Sequence, residues 1–395
     1  MHLSARARGI QPSVTIAIDT RAKALQDAGE RVINLSAGEP DFPTPRHVCA
    51  AAVAAIEAGF TRYTPAAGIA ELRRAIADKH RRDNGVAYAE DEIVVSSGGK
   101  HALFNAFMAI CDPGDQVIIP APYWVSYPEM VRLAGGEPVI VETGPETGFK
   151  LTPEALRRAL GPRSRAVVVN SPNNPTGAVY TREELDALAA VAAEADLWIV
   201  TDELYEHLIY EGEHVSIAAL RPEYRQRTIL INGVSKAYAM TGWRIGWAAA
   251  PRPVAKAMAA IQSQATSAVN SIAQKAAVAA LTGPQDDVAA MREEYRRRRD
   301  LLVEGLSNLP GIAVERPAGA FYVYPSVRGL LGREIGGRRV DDDVALAEVL
   351  LEAARIAVVP GTAFGTPGYL RLSYATARAD LEEALRRLGQ LLGGA

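Results

Sequence analysis

The stretch TILINGVSKAYAMTGWRIG, residues 228–246, places a lysine and an arginine just after a predicted strand. The run Thr228–Asn232 is mostly β-branched and apolar, which is typical of a strand buried on both faces. Lys236 follows this run, and Arg244 comes eight residues after the lysine. A lysine there is most often a solvated loop residue, but its amine can also form a Schiff base with an aldehyde cofactor. A nearby arginine could then hold the phosphate of that cofactor through two hydrogen bonds.

The composition predicts a globular protein with more than one domain. A chain of 395 residues is longer than one hydrophobic core usually serves, and its 48% hydrophobic and 23% charged residues are typical of globular chains. The net charge of −3 provides no global basic field, so we expect no nucleic-acid partner. The run Arg296–Arg299 follows two glutamates in a helical pattern and is predicted to be a solvated helix face.

Cysteines and hydropathy bear on the compartment and on metal binding. Cys49 and Cys111 belong to no CxxC motif, so we expect neither a disulfide framework nor a structural metal site. Both lie in apolar runs and are predicted to be small core residues. The basic segment Met1–Arg8 has no apolar signal core after it, and no stretch approaches ~18 apolar residues. We therefore expect no membrane partner and a cytoplasmic location.

Short apolar runs alternate with helical patterns through the middle of the chain. The predicted strands are Ile93–Ser96, Gln116–Ile119, Glu137–Glu142, Ala166–Asn170, Leu197–Thr201, Thr228–Asn232 and Ile245–Ala249. The predicted helices between them include Lys100–Cys111, Pro153–Leu160 and Arg182–Ala195. This alternation predicts an α/β fold with a mostly parallel, seven-stranded sheet flanked by helices. We assign it to a large domain, residues 46–284.

A second pattern begins near Gly283 and predicts a smaller α+β domain, residues 285–395. The elements expected there are a helix at Asp286–Leu306, strands at Ile312–Glu315 and Ala320–Tyr324, a polar loop at Gly332–Asp343 and a helix at Val344–Ala354. Residues 1–45 lie outside the βαβ pattern, and we expect this N-terminal segment to pack on the small domain.

Unusual residues follow several predicted strands, and open α/β sheets bind ligands at the carboxyl ends of their strands. Gly98 and Gly99 open a helix, where backbone N–H groups can bind an anion. Asn174 lies in a proline-rich loop after the fourth strand, and Asp202 and Tyr205 follow the fifth. Taken singly, each also fits an ordinary turn or a helix N-cap. Together with the lysine, they provide the anion site, acid, amide, phenol and amine that pyridoxal phosphate chemistry needs.

Motifs that run along nearly the whole chain carry a family resemblance. They are LSAGEPDF (35–42), RYTPAAG (62–68), SGGK (97–100), PYWVSYP (122–128), NNP (173–175), DELY (202–205), the stretch around Lys236, PGT (360–362) and RLSYA (371–375). In this order and spacing they resemble the fold-type I, class I aminotransferases, and most closely the bacterial aspartate aminotransferases.

The resemblance implies roles around pyridoxal 5′-phosphate. Lys236 would carry the cofactor covalently, and Asp202 would pair with its ring nitrogen. Tyr205 and Asn174 would donate hydrogen bonds to its phenolic oxygen, and Trp124 would stack on its ring. The residues implied for the phosphate are Gly98, Gly99, the backbone of Lys100, Ser235 and Arg244. Tyr63 would reach the phosphate in a second subunit, which implies a homodimer with shared active sites.

The resemblance also implies how an amino acid and a 2-oxo acid bind. Arg371 would grip the α-carboxylate, with help from Asn174 and the backbone of Gly38, and the domains would close on the substrate. Lys100 would bind the distal carboxylate of a dicarboxylic substrate, unless it is only a solvent-facing residue at a helix start. The residues of the N-terminal segment expected to cover this pocket are Ser13 and Thr15.

Three functions remain open at this point. The first is transamination between L-aspartate and 2-oxoglutarate by a ping-pong mechanism, with prephenate as a further substrate of some relatives. The second is another enzyme of the same fold, such as an aromatic or branched-chain aminotransferase or a carbon–sulfur lyase. The third is a non-catalytic relative that binds ligand or regulates transcription, although such proteins usually carry an added DNA-binding domain. Lys100 favours the first function, because an apolar residue there would favour the second.

Overall fold

The structure is a computed structural model, and it describes residues 2–393. The strands are β1 (Ile33–Asn34), β2 (Ile93–Ser96), β3 (Gln116–Ala121), β4 (Glu137–Glu142), β5 (Ser164–Asn170), β6 (Trp198–Asp202), β7 (Thr228–Gly233), β8 (Gly246–Ala249), β9 (Tyr322–Val323), β10 (Glu334–Ile335), β11 (Arg338–Arg339), β12 (Ile356–Ala357), β13 (Val359–Pro360) and β14 (Leu370–Ser373). The α-helices are α1 (Ala5–Gly9), α2 (Val14–Asp27), α3 (Arg46–Glu57), α4 (Ala70–Lys79), α5 (Gly99–Ile110), α6 (Ser126–Leu133), α7 (Pro153–Ala159), α8 (Arg182–Glu194), α9 (Pro222–Arg225), α10 (Arg252–Ala265), α11 (Ser271–Thr282), α12 (Asp286–Ser307), α13 (Asp343–Ala353) and α14 (Arg378–Gly393).

The seven predicted strands form one sheet in the order β2-β8-β7-β6-β5-β3-β4. Strand β8 runs antiparallel to both of its neighbours, and the other pairs are parallel. The prediction of an α/β fold with a mostly parallel, seven-stranded sheet is therefore confirmed. Because β5, β6 and β7 are parallel, their last residues, Asn170, Asp202 and Gly233, lie at the same edge of the sheet.

Helices cover both faces of this sheet, which explains the continuous apolar runs. On β5, Val168 packs in a cluster with Phe107 of α5, whereas its neighbours Val167 and Val169 pack in another cluster with Leu188 of α8. Alternate side chains of a strand point to opposite faces, so each face has its own core. Burial of each such side chain contributes about 1.5–3 kcal/mol, and this apolar burial holds the carboxyl edge of the sheet in place.

The C-terminal part contains a three-stranded antiparallel sheet, β13-β14-β9, and the long helix α12. The predicted strand Ile312–Glu315 is wrong, since the only β contact there is a single bridge from Ala313 to Ser326. Pro317 follows closely and has no N–H with which to extend the pairing. Strand β9 is shorter than predicted, because Ala320 has a positive φ of 60° and Pro325 again lacks an N–H.

The N-terminal segment contacts the C-terminal elements. Strand β1 pairs in parallel with β12, and the amide N–H of Ser373 donates to the carbonyl of Leu35 at 2.8 Å. Ala22 of α2 packs in a small apolar cluster with Leu351 and Ala357. These contacts place residues 36–39, which follow β1, beside the carboxyl edge of the large sheet.

Two of the four consecutive arginines in α12 are buried, so the prediction of a solvated face is wrong for them. Arg298 donates to both carboxylate oxygens of Asp41, at 2.9 and 2.8 Å. Arg299 donates to Glu211 at 2.8 Å and to the carbonyl of Pro317 at 2.9 Å. Four successive residues go around more than a full helical turn, so some must face inward. Each also pairs with a nearby acid, Glu294 or Asp300, but the partners Asp41 and Glu211 come from distant segments that the local pattern could not identify.

Cys49 and Cys111 are free thiols, and both are half-buried. Cys111 packs against the apolar cluster between α5 and the sheet. Within residues 2–393, none of the helices combines the length and the apolar character that crossing a membrane would require.

Candidate active site

A cavity of about 380 Å³ opens at the carboxyl edge of the large sheet. Its walls come from the ends of β6 and β7, from α5 and α6, from the N-terminal segment and from β9 and β14. The predicted site residues that line it are Ser13, Thr15, Gly38, Gly99, Lys100, Trp124, Asn174, Asp202, Tyr205, Ser235, Lys236, Arg244 and Arg371. Gly98 lies directly before the lining residue Gly99. Tyr63 does not line the cavity of its own chain, and its side chain is 95% exposed.

Lys236 reaches the cavity from the loop that follows β7. Its ammonium group donates a hydrogen bond to the carbonyl of Gly38, so the lysine bridges the large sheet and the N-terminal segment. Burial, together with the positive charges of Arg371 and Arg244, lowers the pKa of the Lys236 amine to about 8. About a tenth of this amine is therefore neutral at pH 7, and this neutral form is the one that acts as a nucleophile or base.

Asp202 is the last residue of β6, and only 5% of it is exposed. One carboxylate oxygen accepts a 2.6 Å hydrogen bond from the hydroxyl of Tyr127, and the other accepts from the N–H of Leu204 at 3.3 Å. Burial raises the pKa of Asp202 to about 6, although both hydrogen bonds act in the opposite direction. A carboxyl group in this state favours a proton, or a cationic partner that enters the cavity.

The amide of Asn174 and the phenol of Tyr205 are both held in fixed directions. The side-chain oxygen of Asn174 accepts from Arg371 at 3.1 Å, and its backbone N–H donates to Asn170 at 2.9 Å. The hydroxyl oxygen of Tyr205 lies 2.9 Å from that of Tyr322. The structure thus brings both predicted residues to the cavity.

Arg244 lies against the N-terminus of α5 and makes an anion site with it. A Cβ atom at Gly98, which has a φ of 86°, would lie 2.4 Å from the guanidinium of Arg244, so only glycine allows this approach. Arg244 donates to the carbonyls of Thr241 at 2.9 Å and Ser97 at 3.3 Å. A twelve-residue helix directs its positive end and free N–H groups at the same point.

Trp124 and Lys100 form another wall of the cavity. The amine of Lys100 lies 5.0 Å from the centroid of the Trp124 ring, and that ring meets Tyr127 edge-on at 5.4 Å. The side chain of Lys100 is exposed in this single chain and lines the cavity as well. Its charge is therefore available to a ligand that enters from solvent.

Arg371 is a buried cation whose hydrogen bonds are incomplete. It is 2% exposed and donates to the carbonyl of Ser36 at 2.6 Å and to Asn174. Its Nε atom is buried, and no hydrogen-bond partner for it exists among residues 2–393. A buried donor without a partner is costly, so this guanidinium is suited to a ligand carboxylate that would complete its bonds.

Sequence reasoning missed two tyrosines of this site. Tyr127 holds Asp202, and Tyr322 contacts both Tyr205 and Arg371, whose guanidinium lies 4.4 Å from the Tyr322 ring centroid. Both tyrosines lie in apolar runs, where an aromatic residue indicates the core. The only available signal was that a buried tyrosine hydroxyl needs a polar partner.

The comparisons with known proteins agree with this geometry. Residues 30–388 match the family model described as Aminotransferase class I and II. The chain is 52% identical to the aspartate/prephenate aminotransferase of Thermus thermophilus, over 100% of this chain and 99% of that protein. It is 50% identical to the aspartate aminotransferase of Streptomyces avermitilis, over 100% and 97% of the two chains.

Solved structures give the same result. The aspartate aminotransferase of Rhizobium meliloti superposes with a TM-score of 0.96 at 47% identity, covering 100% of this chain and 99% of that one. The Thermus thermophilus aspartate aminotransferase with maleate superposes with a TM-score of 0.93 at 52% identity, covering 99% of each chain. With this fold and this cavity, the chain belongs to the class I and II aminotransferases.

Proposed function

We propose that this chain is a pyridoxal phosphate-dependent aminotransferase that exchanges the amino group between L-aspartate and 2-oxoglutarate. One observation carries the proposal: the incompletely bonded Arg371 and the accessible Lys100 line the same cavity as the amine of Lys236. Both substrates have two carboxylates, and the two cations provide a partner for each.

Three features of the site fit the cofactor. The amine of Lys236 has a lowered pKa, which suits covalent attachment of an aldehyde. Among residues 2–393 the buried Asp202 has no cationic partner in hydrogen-bond contact, as expected of a site for a protonated ring nitrogen. The N-terminus of α5 and Arg244 provide a site for a phosphate dianion.

We assign the remaining cofactor contacts to residues that line the cavity and to Gly98, which precedes the lining residue Gly99. Those expected to hold the phosphate are Gly98, Gly99, the backbone of Lys100, Ser235 and Arg244. Trp124 would cover the ring, and Tyr205 and Asn174 would donate to its phenolic oxygen. When bound, the cofactor supplies an electron sink that makes loss of the substrate Cα proton possible.

The residues of this chain then have separate tasks. Lys236 Nζ takes the proton from the substrate Cα as a base, because its lowered pKa leaves it partly neutral, and as an acid it would then deliver that proton to the aldehyde carbon of the cofactor. Asp202 holds a protonated nitrogen beside its carboxylate. Arg371 binds the α-carboxylate in a buried place, with Asn174 and Gly38 beside it, and Lys100 binds the distal carboxylate.

We further propose a homodimer and a closing motion. Tyr63 is an aromatic residue with 95% exposure, and a partner subunit's phosphate site would account for it. Residues 1–45 and 285–395 would move together over the large domain, residues 46–284. The hydroxyl oxygens of Ser13 and Thr15, which are 3.0 Å apart, would then lie over the substrate pocket.

Purified holoenzyme mixed with single amino acids tests this function through the absorbance change of the cofactor in each half-reaction. We expect aspartate and glutamate to react much faster than alanine. Lys100→Ala should slow the dicarboxylic substrates selectively, whereas Arg371→Ala should slow every amino acid and cost several kcal/mol. Lys236→Ala should give neither the chromophore nor turnover.

Lys150→Ala is the matched control, because Lys150 pairs with Glu184 and does not line the cavity. Equal losses for aspartate and alanine in Lys100→Ala would remove the proposed specificity role of that lysine. Absence of a half-reaction with any amino acid would refute the proposed function. The panel includes prephenate as amino-group acceptor, because relatives at 52% and 51% identity are named aspartate/prephenate aminotransferases.

A further inference from the structure

Tyr322 connects two parts of the site to which sequence motifs gave separate roles. It lies on β9, next to β14, and is 1% exposed. Its hydroxyl oxygen is 2.9 Å from that of Tyr205, and its ring lies 4.4 Å below the guanidinium of Arg371. A Cβ atom on Gly38 would lie 3.1 Å from this same hydroxyl. Tyr322 therefore touches the phenol, the carboxylate-binding arginine and the N-terminal segment together.

The two phenols share one hydrogen bond, and its direction matters. Within residues 2–393, neither hydroxyl has another hydrogen-bond partner. If Tyr205 donates to Tyr322, its only proton is used and cannot reach a ligand in the cavity. If Tyr322 donates instead, the proton of Tyr205 is free to point into the cavity. Donation to Tyr205 also polarises its own O–H group and makes it a stronger donor.

The cation of Arg371 favours the second direction. It lies over the ring of Tyr322, where a positive charge makes the phenol a better proton donor. Burial raises the pKa of both phenols, that of Tyr205 well above its ordinary value, and Arg371 opposes the rise in each. Both phenols line the cavity, and Tyr322, whose ring lies against the Arg371 cation, is the better donor, so Tyr205 accepts the bond.

We propose that Tyr322 is a positioning residue that donates to Tyr205 and so directs the Tyr205 proton at the phenolic oxygen of the cofactor. This inference rests on the proposed function, because it needs the cofactor in the cavity. It also predicts communication across the site. A substrate carboxylate that neutralises Arg371 weakens Tyr322 as a donor and, through Tyr205, weakens the bond to the cofactor oxygen.

The test is a pH titration of the visible absorbance of the holoenzyme without substrate. A weaker bond from Tyr205 stabilises the anionic oxygen less, so the chromophore should keep its proton to higher pH. Tyr322→Phe should raise the midpoint by about 0.5–1 pH unit, the value of one hydrogen bond. Tyr205→Phe should raise it more. The other titratable groups around the pair, Arg371, Asp202 and Lys236, are unchanged in Tyr322→Phe.

Two further variants separate positioning from general packing. Tyr374→Phe is the matched control, since Tyr374 is a fully buried phenol that donates to Ala320 at 3.2 Å and does not line the cavity. It should leave the midpoint unchanged. Gly38→Ala presses a methyl group on the Tyr322 hydroxyl while the core stays intact, and it should raise the midpoint in the same direction even if Tyr322→Phe folds poorly.

Maleate, a dicarboxylate that cannot react, tests the proposed communication from Arg371 through Tyr322 and Tyr205 to the cofactor oxygen. It should raise the midpoint of the wild-type enzyme, and part of that rise should be lost in Tyr322→Phe. A midpoint that stays at the wild-type value in both Tyr322→Phe and Gly38→Ala would overturn the positioning role and leave the proposed function intact. A wild-type protein with no titrating chromophore after addition of the cofactor would overturn both.

Discussion

Buried acids lie on both faces of the short turn at the end of β6, and the two faces shift their pKa values in opposite directions. Asp202 and Tyr205 face the cavity, whereas Glu203 and Glu206 point into a polar cluster behind it. All three acids are less than 10% exposed. Asp202 and Glu206 are four residues apart. Comparing them separates the effect of burial on a carboxyl pKa from the effect of its charged and hydrogen-bonding partners.

The negative charge of Glu206 is fully compensated by its partners. It forms an ion pair with Lys79, which is 1% exposed, and accepts from Asn84 at 2.7 Å and Asn232 at 2.8 Å. Burial alone would raise the pKa of Glu206, but Lys79 and the nearby histidines together bring that pKa well below its usual range. Glu203 is held similarly, with His214 at 3.0 Å.

At Asp202 the effect of burial outweighs the effect of the partners. Its hydrogen bonds come from a phenol and one backbone N–H, and burial raises its pKa to about 6. In the described part of the chain, Glu206 therefore has a cation in contact and Asp202 has none, and this accounts for their opposite pKa shifts. Asp202 faces the cavity, where a cationic ligand can pair with its carboxylate, whereas Glu206 neutralises the buried ammonium of Lys79. Three experiments test this contrast between Asp202 and Glu206.

The largest expected effect is on catalysis by Asp202→Asn. The amide keeps the shape and can still accept from Tyr127, but it cannot stabilise a protonated ring nitrogen. We expect the half-reaction with aspartate to slow by on the order of 100- to 1,000-fold, with no loss of thermal stability. Glu206→Gln is the comparison, and its rate should stay within a few-fold of wild type. Similar losses of rate in both variants would mean that the two faces do not have distinct roles.

The next effect is on stability and concerns Glu206. Glu206→Leu leaves the buried ammonium of Lys79 without its carboxylate, which should cost about 3–5 kcal/mol of unfolding free energy. The double variant Lys79→Met/Glu206→Leu removes both charges and should recover most of that loss. Urea unfolding of the holoenzyme measures both, and the visible chromophore should persist in each. A double variant as unstable as the single one would contradict the view that the unpaired charge is the cause.

Much of this fold could be predicted because its signals are local. The strands of the large sheet are continuous apolar runs, and Thr181 and Glu184 cap α8 reciprocally, as their spacing indicates. The expectation that ligands bind at the carboxyl ends of parallel strands placed Asp202, Tyr205 and Lys236 together, and in the structure all three line the same cavity. Each of these inferences needs only a few neighbouring residues or the order of strands.

The rest depends on partners that are distant in sequence. Glu206 meets Asn84 across 122 residues, and Tyr205 meets Tyr322 across 117. Arg298 is buried because Asp41 reaches it from the N-terminal segment. A single sequence gives the type of each side chain but not which distant charge or hydroxyl lies beside it. The compensation of buried charges is therefore the feature that only the structure reveals.

The smallest effect is a pH dependence that separates Asp202, whose pKa is raised, from Glu206, whose pKa is lowered. Its pKa is about 6 in the folded chain without cofactor, above the ordinary value of about 3.9 in the unfolded chain. Between these values the folded state binds the proton more tightly, so the stabilisation present at low pH is lost as pH rises towards 6. The unfolding free energy of the wild type relative to Asp202→Asn should therefore fall by about 3 kcal/mol across this window. Urea titrations from pH 4 to pH 7 measure the difference, and titrations common to both proteins cancel. Added pyridoxal phosphate should flatten this dependence of the unfolding free energy on pH, because a cationic ring nitrogen beside Asp202 favours its ionised form. An equal dependence on pH in the wild type and in Asp202→Asn would show that a group other than Asp202 causes it.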